Sequence, residues 1–375
     1  MKKRVIIALV VVVAVVAVAI VLLRTPPDQD SKQPVKVGSI LSLTGTLANY
    51  GELEKRGFDL AVKRINENGG INGRPLEVIY EDSQLEPATA ISAYRKLTSH
   101  DHVPMIVGCI GSSVCLAITP LASEDKVVVL SAGATAPKLS GSSPYFFRVA
   151  PSDTLGAAKL AEWALHDGSK RIAILYVEND YGVGQKDVAL KYLTDANVPP
   201  VIIESCQPEA TDLRAQLEKI RSANVEAVLL LTHSPEAGYF LKQAAETGFK
   251  AKYYGGDALS DPSIVQIAGN ACEGVMFLLP AKGSGPEYEA FAKAYRDAYN
   301  AEPDAVGLKA YCLMLVAADA LRNADYSGPA LRGYIAQLSG FATPMGPITF
   351  DQNGDIVDVK FDHLRYENGK AVVMP

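Results

Sequence analysis

From Val35 onward, short runs of consecutive apolar and β-branched residues alternate with longer stretches in which apolar positions recur every three or four residues. The first pattern predicts strands buried on both faces and the second predicts amphipathic helices, and their regular alternation predicts a parallel sheet covered by helices. "VKVGSILSL" from Val35 reads as a strand. Leu53, Gly57, Leu60, Ala61 and Ile65 then recur at helical spacing until Gly69-Gly70 stops the helix. "PLEVIYED" is the next strand, and Pro87 opens a helix at its first position. "VPMIV", a helix from about Ser112 and "KVVVL" complete a first block. A second block repeats the scheme. "RIAILYV", a helix from about Gly182, "PVIIES", a helix carrying Leu213, Leu217 and Ile220 after Thr211-Asp212, "VEAVLLL", another helix, "AKYYG" and "EGVMFLL" follow in order.

Two β/α blocks of similar size suggest two doubly wound lobes, as expected for a chain of 375 residues, longer than one core usually serves. Residues 285 to 340 read as further helices, and the closing stretch from Gly346 reads as a strand, a turn and a hairpin. Helices placed after the second block return to cover the first lobe, so the chain passes between lobes more than once. Repeated passage makes a hinge.

The first 24 residues form a separate unit. Lys2, Lys3 and Arg4 precede an unbroken apolar run from Val5 to Leu23, long enough at about 1.5 Å per residue to cross a bilayer core of about 30 Å. Basic residues ahead of the run favour a cytoplasmic N-terminus and place all that follows outside the cytoplasm. An uncleaved membrane anchor is one reading, and a signal peptide cut after Ala17-Val18-Ala19 is the other. Residues 25–34, "TPPDQDSKQP", are polar and proline-rich and read as a linker.

Composition narrows the function classes. A net charge of -6 supplies no basic surface for a phosphate backbone, which argues against nucleic acid as a partner. The five cysteines include no C-x-x-C, and the five histidines are dispersed, so no metal site is expected. No G-x-S-x-G elbow or spaced Ser, Asp and His set is present, and no enzyme or cofactor chemistry is expected.

In open parallel sheets, ligands bind beyond the carboxyl ends of the strands, so the segments following each strand are the candidate site. They are "TGTLANYG", "GCIGSS" and "SAGAT" in the first block, and "ENDYGVG", "THSPE" and "DALSDP" in the second. Ser112 and Ser113 fall at a helix N-terminus, where free N–H groups favour an anion. Gly133, Ala134 and Thr135 offer close backbone approach and a hydroxyl. The alternative for these loops is simple capping and turning. Asp257, on the opposite lobe, suits an ammonium or caps the next turn. Tyr50 and Tyr181 are candidate aromatic walls and His233 a polar lining residue.

Together "LSLTGTLANYGELEKRGFDLAVKRINENGGINGRPLEVIYEDSQLEP", "SAGATAPKLS", "FFRVAPSD" and "ENDYGVG" resemble the leucine/isoleucine/valine-binding protein family, the type I periplasmic substrate-binding proteins of ABC importers. The resemblance implies an α/β fold of two doubly wound parallel-sheet lobes joined by three crossovers, near Phe147–Ser152, Leu279–Lys282 and Thr343–Pro347. Lobe 1 would then be residues 35–150 and 281–345, and lobe 2 residues 151–280 and 346–375. It further implies that Ser112, Gly133 and Thr135 bind an α-carboxylate, that Asp257 binds the α-ammonium, and that Tyr50 and Tyr181 wall the ligand. A monomer that hands an aliphatic amino acid to an ABC permease is the expected working unit. The alternatives are an amide, urea or an aromatic acid as ligand, or a tethered sensor ectodomain. The family's tyrosine near His233 is replaced here, and its customary disulfide is missing because "EDSQLEP" has no cysteine. Cys109 and Cys115 are the candidates for a local bridge after export.

Overall fold

A computed structural model describes residues 33–45 and 47–374. The expected anchor or signal segment, residues 1–24, and most of the linker lie outside the described residues. Among those described, no helix is long and apolar enough to cross a membrane.

The first sheet holds β1 (Val35–Leu41), β2 (Leu76–Asp82), β3 (Met105–Gly108), β4 (Val128–Ser131) and β5 (Phe146–Arg148), all parallel, in the order β2-β1-β3-β4-β5. Every position of β3, β4 and β5 is buried, which is why these strands read as continuous apolar runs. Helices α1 (Ala48–Glu67), α2 (Pro87–Arg95) and α3 (Ser112–Asp125) connect them.

In the second lobe, helices α4 (Asp153–His166), α5 (Asp180–Asp195), α6 (Arg214–Ser222), α7 (Ser234–Glu246) and α8 (Ser263–Ala268) accompany β6 (Ile172–Val177), β7 (Ile202–Cys206), β8 (Ala227–Leu231), β9 (Lys252–Gly255) and β10 (Met276–Pro280). These five strands are parallel in the order β7-β6-β8-β9-β10, the same winding as lobe 1. β13 (Phe361–Glu367) and β14 (Lys370–Val373) extend the sheet beyond β10 as an antiparallel hairpin.

Between β10 and β13 the chain revisits lobe 1 through α9 (Pro286–Tyr299), α10 (Ala305–Asn323), α11 (Gly328–Ile335) and the small hairpin β11 (Phe341–Thr343) with β12 (Gly346–Ile348). Helix α10 runs through the core of that lobe, with Leu308 and Ala310 to Met314 all buried. It lies directly on α1. A Cβ at Gly57 would fall 2.2 Å from the Gly307 carbonyl oxygen, so the bare glycine is what allows the two helices this approach.

The chain passes between lobes after Val149, which belongs to the lobe 1 core, and after Pro280. The third passage differs from expectation. Ile348, Phe350 and Ile356 all pack in the lobe 1 core, and Asp355 bridges to Arg148 beside β5. Residues 346–356 therefore belong with lobe 1, and the passage falls near Lys360, whose carbonyl accepts from the Ala281 N–H at 2.8 Å. Turn residues around Gly354 gave the sequence no signal for this, since the decisive contacts are with a strand some two hundred positions earlier.

Candidate functional site

In each lobe the sheet reverses its winding between its first and third strands, and loops leaving those strands part there to leave a crevice. Lobe 1 brings the segments after β1 and β3 to this point, and lobe 2 the segments after β6 and β8. The two crevices face each other. They enclose a cavity of about 60 Å³ lined by Leu47, Tyr50, Leu85, Ile110, Gly111, Ser112, Gly133, Tyr181, His233, Asp257, Ser260, Leu279, Val306 and Lys309. A wider mouth of about 560 Å³ opens from it past Ser113, Asn179 and Asp180.

On the lobe 1 side, Ser112 is the first residue of α3, whose leading N–H groups have no intrahelical acceptor. The Ser112 hydroxyl accepts from the Ala136 N–H at 3.1 Å, which leaves its O–H free to donate into the cavity. The loop before it is fixed by unusual means. Cys109 adopts φ 69°, and its carbonyl accepts from both the Cys115 thiol at 2.8 Å and the Ser131 hydroxyl at 2.9 Å. All five cysteines are free thiols, and the candidate bridge between Cys109 and Cys115 is not formed; the Cys115 thiol donates to the Cys109 carbonyl instead.

The following loop is held from below. Fully buried Arg148 donates to the carbonyls of Ala134 at 3.2 Å and Ala136 at 2.9 Å, to Ser140 Oγ at 2.8 Å, and pairs with Asp355 at 2.6 Å. With each of its three nitrogens engaged, the guanidinium acts as a rigid fork that sets the loop's course.

On the lobe 2 side, the Tyr181 and His233 rings stack with centroids 4.9 Å apart and planes 10° from parallel. Asn179 Oδ1 accepts from the Gly182 N–H at 3.0 Å, which turns its amide NH2 toward His233 Nε2 at 3.2 Å. His233 is thus an acceptor at Nε2, the neutral form. Burial pushes its pKa down to about 4, with Asp257 opposing.

Lobes also touch directly. Tyr50 donates its hydroxyl to the Ala258 carbonyl at 2.6 Å, Asn49 donates to Asp261 at 2.5 Å, and the Asp180 N–H donates to Ser113 Oγ at 3.3 Å. Lys309 of α10 pairs with Asp257 across the cleft at 3.2 Å, its side chain 8% exposed. Behind it, Glu54 of α1 is fully buried with neither carboxylate oxygen hydrogen-bonded, and burial pushes it up to about 8.

Beyond Asp257 lies a smaller chamber lined by Thr135, Ser152, Asp153, Gln185 and Gly256. Thr135 Oγ1, Asp153 Oδ2 and Gln185 Nε2 are all buried there, and the Thr135 hydroxyl and Gln185 amide both act to lower the Asp153 pKa. Burial first, then the Asp257 charge, pushes Asp153 up to about 7.

This arrangement can hold a small molecule by its two ends but offers no nucleophile with a base beside it, and among the described residues no cluster of metal ligands. The model of the family described as "Periplasmic binding protein" matches residues 34–369. The chain belongs to the periplasmic binding protein family. Among its relatives, a leucine-, isoleucine-, valine-, threonine- and alanine-binding protein of Pseudomonas aeruginosa is 29% identical over 337 residues, 89% of each chain. A leucine-binding protein of Thermotoga maritima superposes with TM-score 0.85 at 26% identity, covering 91% of this chain and 98% of that one. A branched-chain amino acid transporter substrate-binding protein from Streptococcus pneumoniae, in complex with isoleucine, gives TM-score 0.82 at 26% identity over 91% and 99%.

Within this periplasmic binding protein, Tyr50, Ser112, Gly133, Tyr181, His233 and Asp257 come together around one cavity. Ser113 sits at the mouth, where it ties the lobes. Thr135 faces the neighbouring chamber with Asp153. Ala134 is fully buried and its N–H donates to Ser131 Oγ at 3.0 Å, so that group is engaged inside the loop.

Several residues in and behind the cleft escaped sequence reasoning. Lys309 was signalled by being the one charge within the apolar and small stretch "AVGLKAYCLMLVAA". Glu54 stands one turn before Phe58 on the buried stripe of α1, and the structure buries it in preference to Leu53. Asp153 carried no signal, since it reads as an ordinary acid in the first turn of α4.

Proposed function

We propose that the protein captures an α-amino acid with an aliphatic side chain outside the cytoplasm and presents the closed complex to the permease of an ABC importer. The observation that carries this reading is one cavity with an anion cradle on lobe 1, at Ser112 and the start of α3, and an acid on lobe 2, Asp257. A zwitterion satisfies both only when the lobes are closed, so its binding draws an open-closed equilibrium toward closure. Leu47, Leu85, Ile110, Leu279 and Val306 supply an apolar wall for the side chain. The relatives that bind leucine and isoleucine point to the same ligand class. Residues 5–23 tether the protein to the membrane in this reading, which mass spectrometry of the mature N-terminus tests.

Thermal shift against amino acids, amides and aromatic acids tests the ligand class, because a ligand at 100 times its Kd stabilises by about 2.7 kcal/mol. Leucine, isoleucine or valine is expected to raise Tm, and Asp257→Ala to weaken that binding by about tenfold or more. A panel in which no amino acid shifts Tm would sink the reading. The Lys309–Asp257 pair favours a second one, a carboxylate without an ammonium, which leaves the pair intact. The aromatic acids in the panel would then give the larger shifts.

A further inference from the structure

Asp257 is expected to meet a ligand's ammonium, yet its Oδ2 already holds the Lys309 ammonium at 3.2 Å. An incoming ammonium must displace that lysine, and a buried lysine left without an acceptor is costly. The structure supplies an acceptor. Glu54 lies on α1, which meets α10 at the Gly57 and Gly307 contact, and both its carboxylate oxygens are buried without a hydrogen bond. It is a vacant place beside a lysine that will need one.

We propose that Lys309 has two seats: Asp257 across the cleft before a ligand binds, and Glu54 behind it once a ligand's ammonium takes Asp257, with Glu54 releasing its proton to solvent on the exchange. This rests on the amino-acid reading above. The bookkeeping of charge closes. Lys309 stays protonated throughout, the Glu54 O–H bond breaks, and the proton leaves to buffer while the new carboxylate gains the lysine as counter-ion.

Burial holds Glu54 up to about 8 despite the opposing pull of Lys309, so at pH 7 it carries its proton while the lysine faces Asp257. The other groups facing it are Tyr80 on β2 and Cys109 at the end of β3, both pushed up by burial and so neutral at pH 7. Lys309 is therefore the charge on the neighbouring elements able to ionise it. The exchange also explains why an amino-acid cleft tolerates a lysine at its acidic end. Asp257 and Lys309 neutralise each other before binding; after it the ligand ammonium pairs with Asp257 and Lys309 with Glu54, and the ligand carboxylate, the one charge left over, rests on Ser112 and the leading N–H groups of α3.

Isothermal titration of the full chain with L-leucine at pH 7, in buffers of low and high ionisation enthalpy, counts the protons released. The wild type is expected to release about one proton per leucine, and Glu54→Gln close to none with about tenfold weaker binding. Because Gln matches neutral Glu54 in shape and charge, that variant keeps its fold, which circular dichroism checks. The des-amino analogue 4-methylpentanoate, which leaves the Lys309–Asp257 pair in place, is expected to bind the wild type without proton release. Leucine binding with no proton release, or with equal release in Glu54→Gln, overturns the two-seat lysine alone. Failure of every amino acid to bind overturns the amino-acid reading and this inference with it.

Discussion

At the scale of single residues, the cleft concentrates groups whose buried state differs from their ordinary one. Glu54 keeps its proton in the folded protein up to about pH 8, whereas an exposed carboxyl loses it near 4.5. The folded state thus binds more protons between those values, and its stability falls as pH rises through that window. Glu54→Gln removes the titrating group. Its Tm is expected to match the wild type near pH 5, to exceed it increasingly up to about pH 8 and to hold that margin above it, in the ligand-free protein. His233 has the opposite dependence. Its pKa is depressed to about 4 from 6.5, so the unfolded state binds more protons in that interval and stability is lost as pH falls through it. Melting curves of His233→Gln should show a shallower loss between pH 6.5 and 4 than the wild type. Spacing pointed to His233 and Asp257 because each directly follows a strand. Glu54 and Lys309 sit inside helices, where a single charge among apolar neighbours reads as a solvated edge until the helix partners are known.

Elements carry the next level of the argument. Loop 132–136 is shaped by a side chain from the adjacent strand, since Arg148 of β5 takes two of its carbonyls and pairs with Asp355. Replacing Arg148 by Met leaves Asp355 buried without its cation and is expected to cost about 3–5 kcal/mol, read as a lower midpoint in urea unfolding. Leucine binding should weaken with it, because the Gly133 edge of the cavity loses its support. A second element-level test concerns α1 and α10. Gly57→Ala puts a methyl 2.2 Å from the Gly307 oxygen and must part the helices, costing about 1–3 kcal/mol by the same measurement. The strands and most helices were legible from periodicity. The pairing of α1 with α10 was not, because it depends on two glycines some 250 positions apart meeting without side chains between them.

For the whole molecule, function lies in the relation between lobes. Tyr50, Asn49 and Ser113 of lobe 1 bond to Ala258, Asp261 and Asp180 of lobe 2. Each such bond favours the closed form by about 1 kcal/mol when it forms. Tyr50→Phe removes one of them while keeping the ring on the cavity wall. Leucine affinity is expected to drop about fivefold, and small-angle scattering of the ligand-free variant should show a larger radius of gyration than the wild type. In the proposed closure the three passages between lobes are the hinge. Two of them are joined by the Ala281 N–H to the Lys360 carbonyl at 2.8 Å.

The sequence by itself determined the two-lobed α/β winding, the loops that face the cleft, and six of the residues that line its cavity: Tyr50, Ser112, Gly133, Tyr181, His233 and Asp257. Those features follow from local periodicity and from a general rule about the carboxyl ends of parallel strands, both of which act over short stretches of chain. Tertiary structure alone decided the rest: that 346–356 stays with lobe 1, that Thr135 turns to a second chamber, that Cys109 and Cys115 remain thiols, and that Lys309 stands against Asp257 with Glu54 empty behind it. Each of these depends on groups brought together from distant positions, where burial and the satisfaction of polar atoms, rather than any local preference, select the outcome.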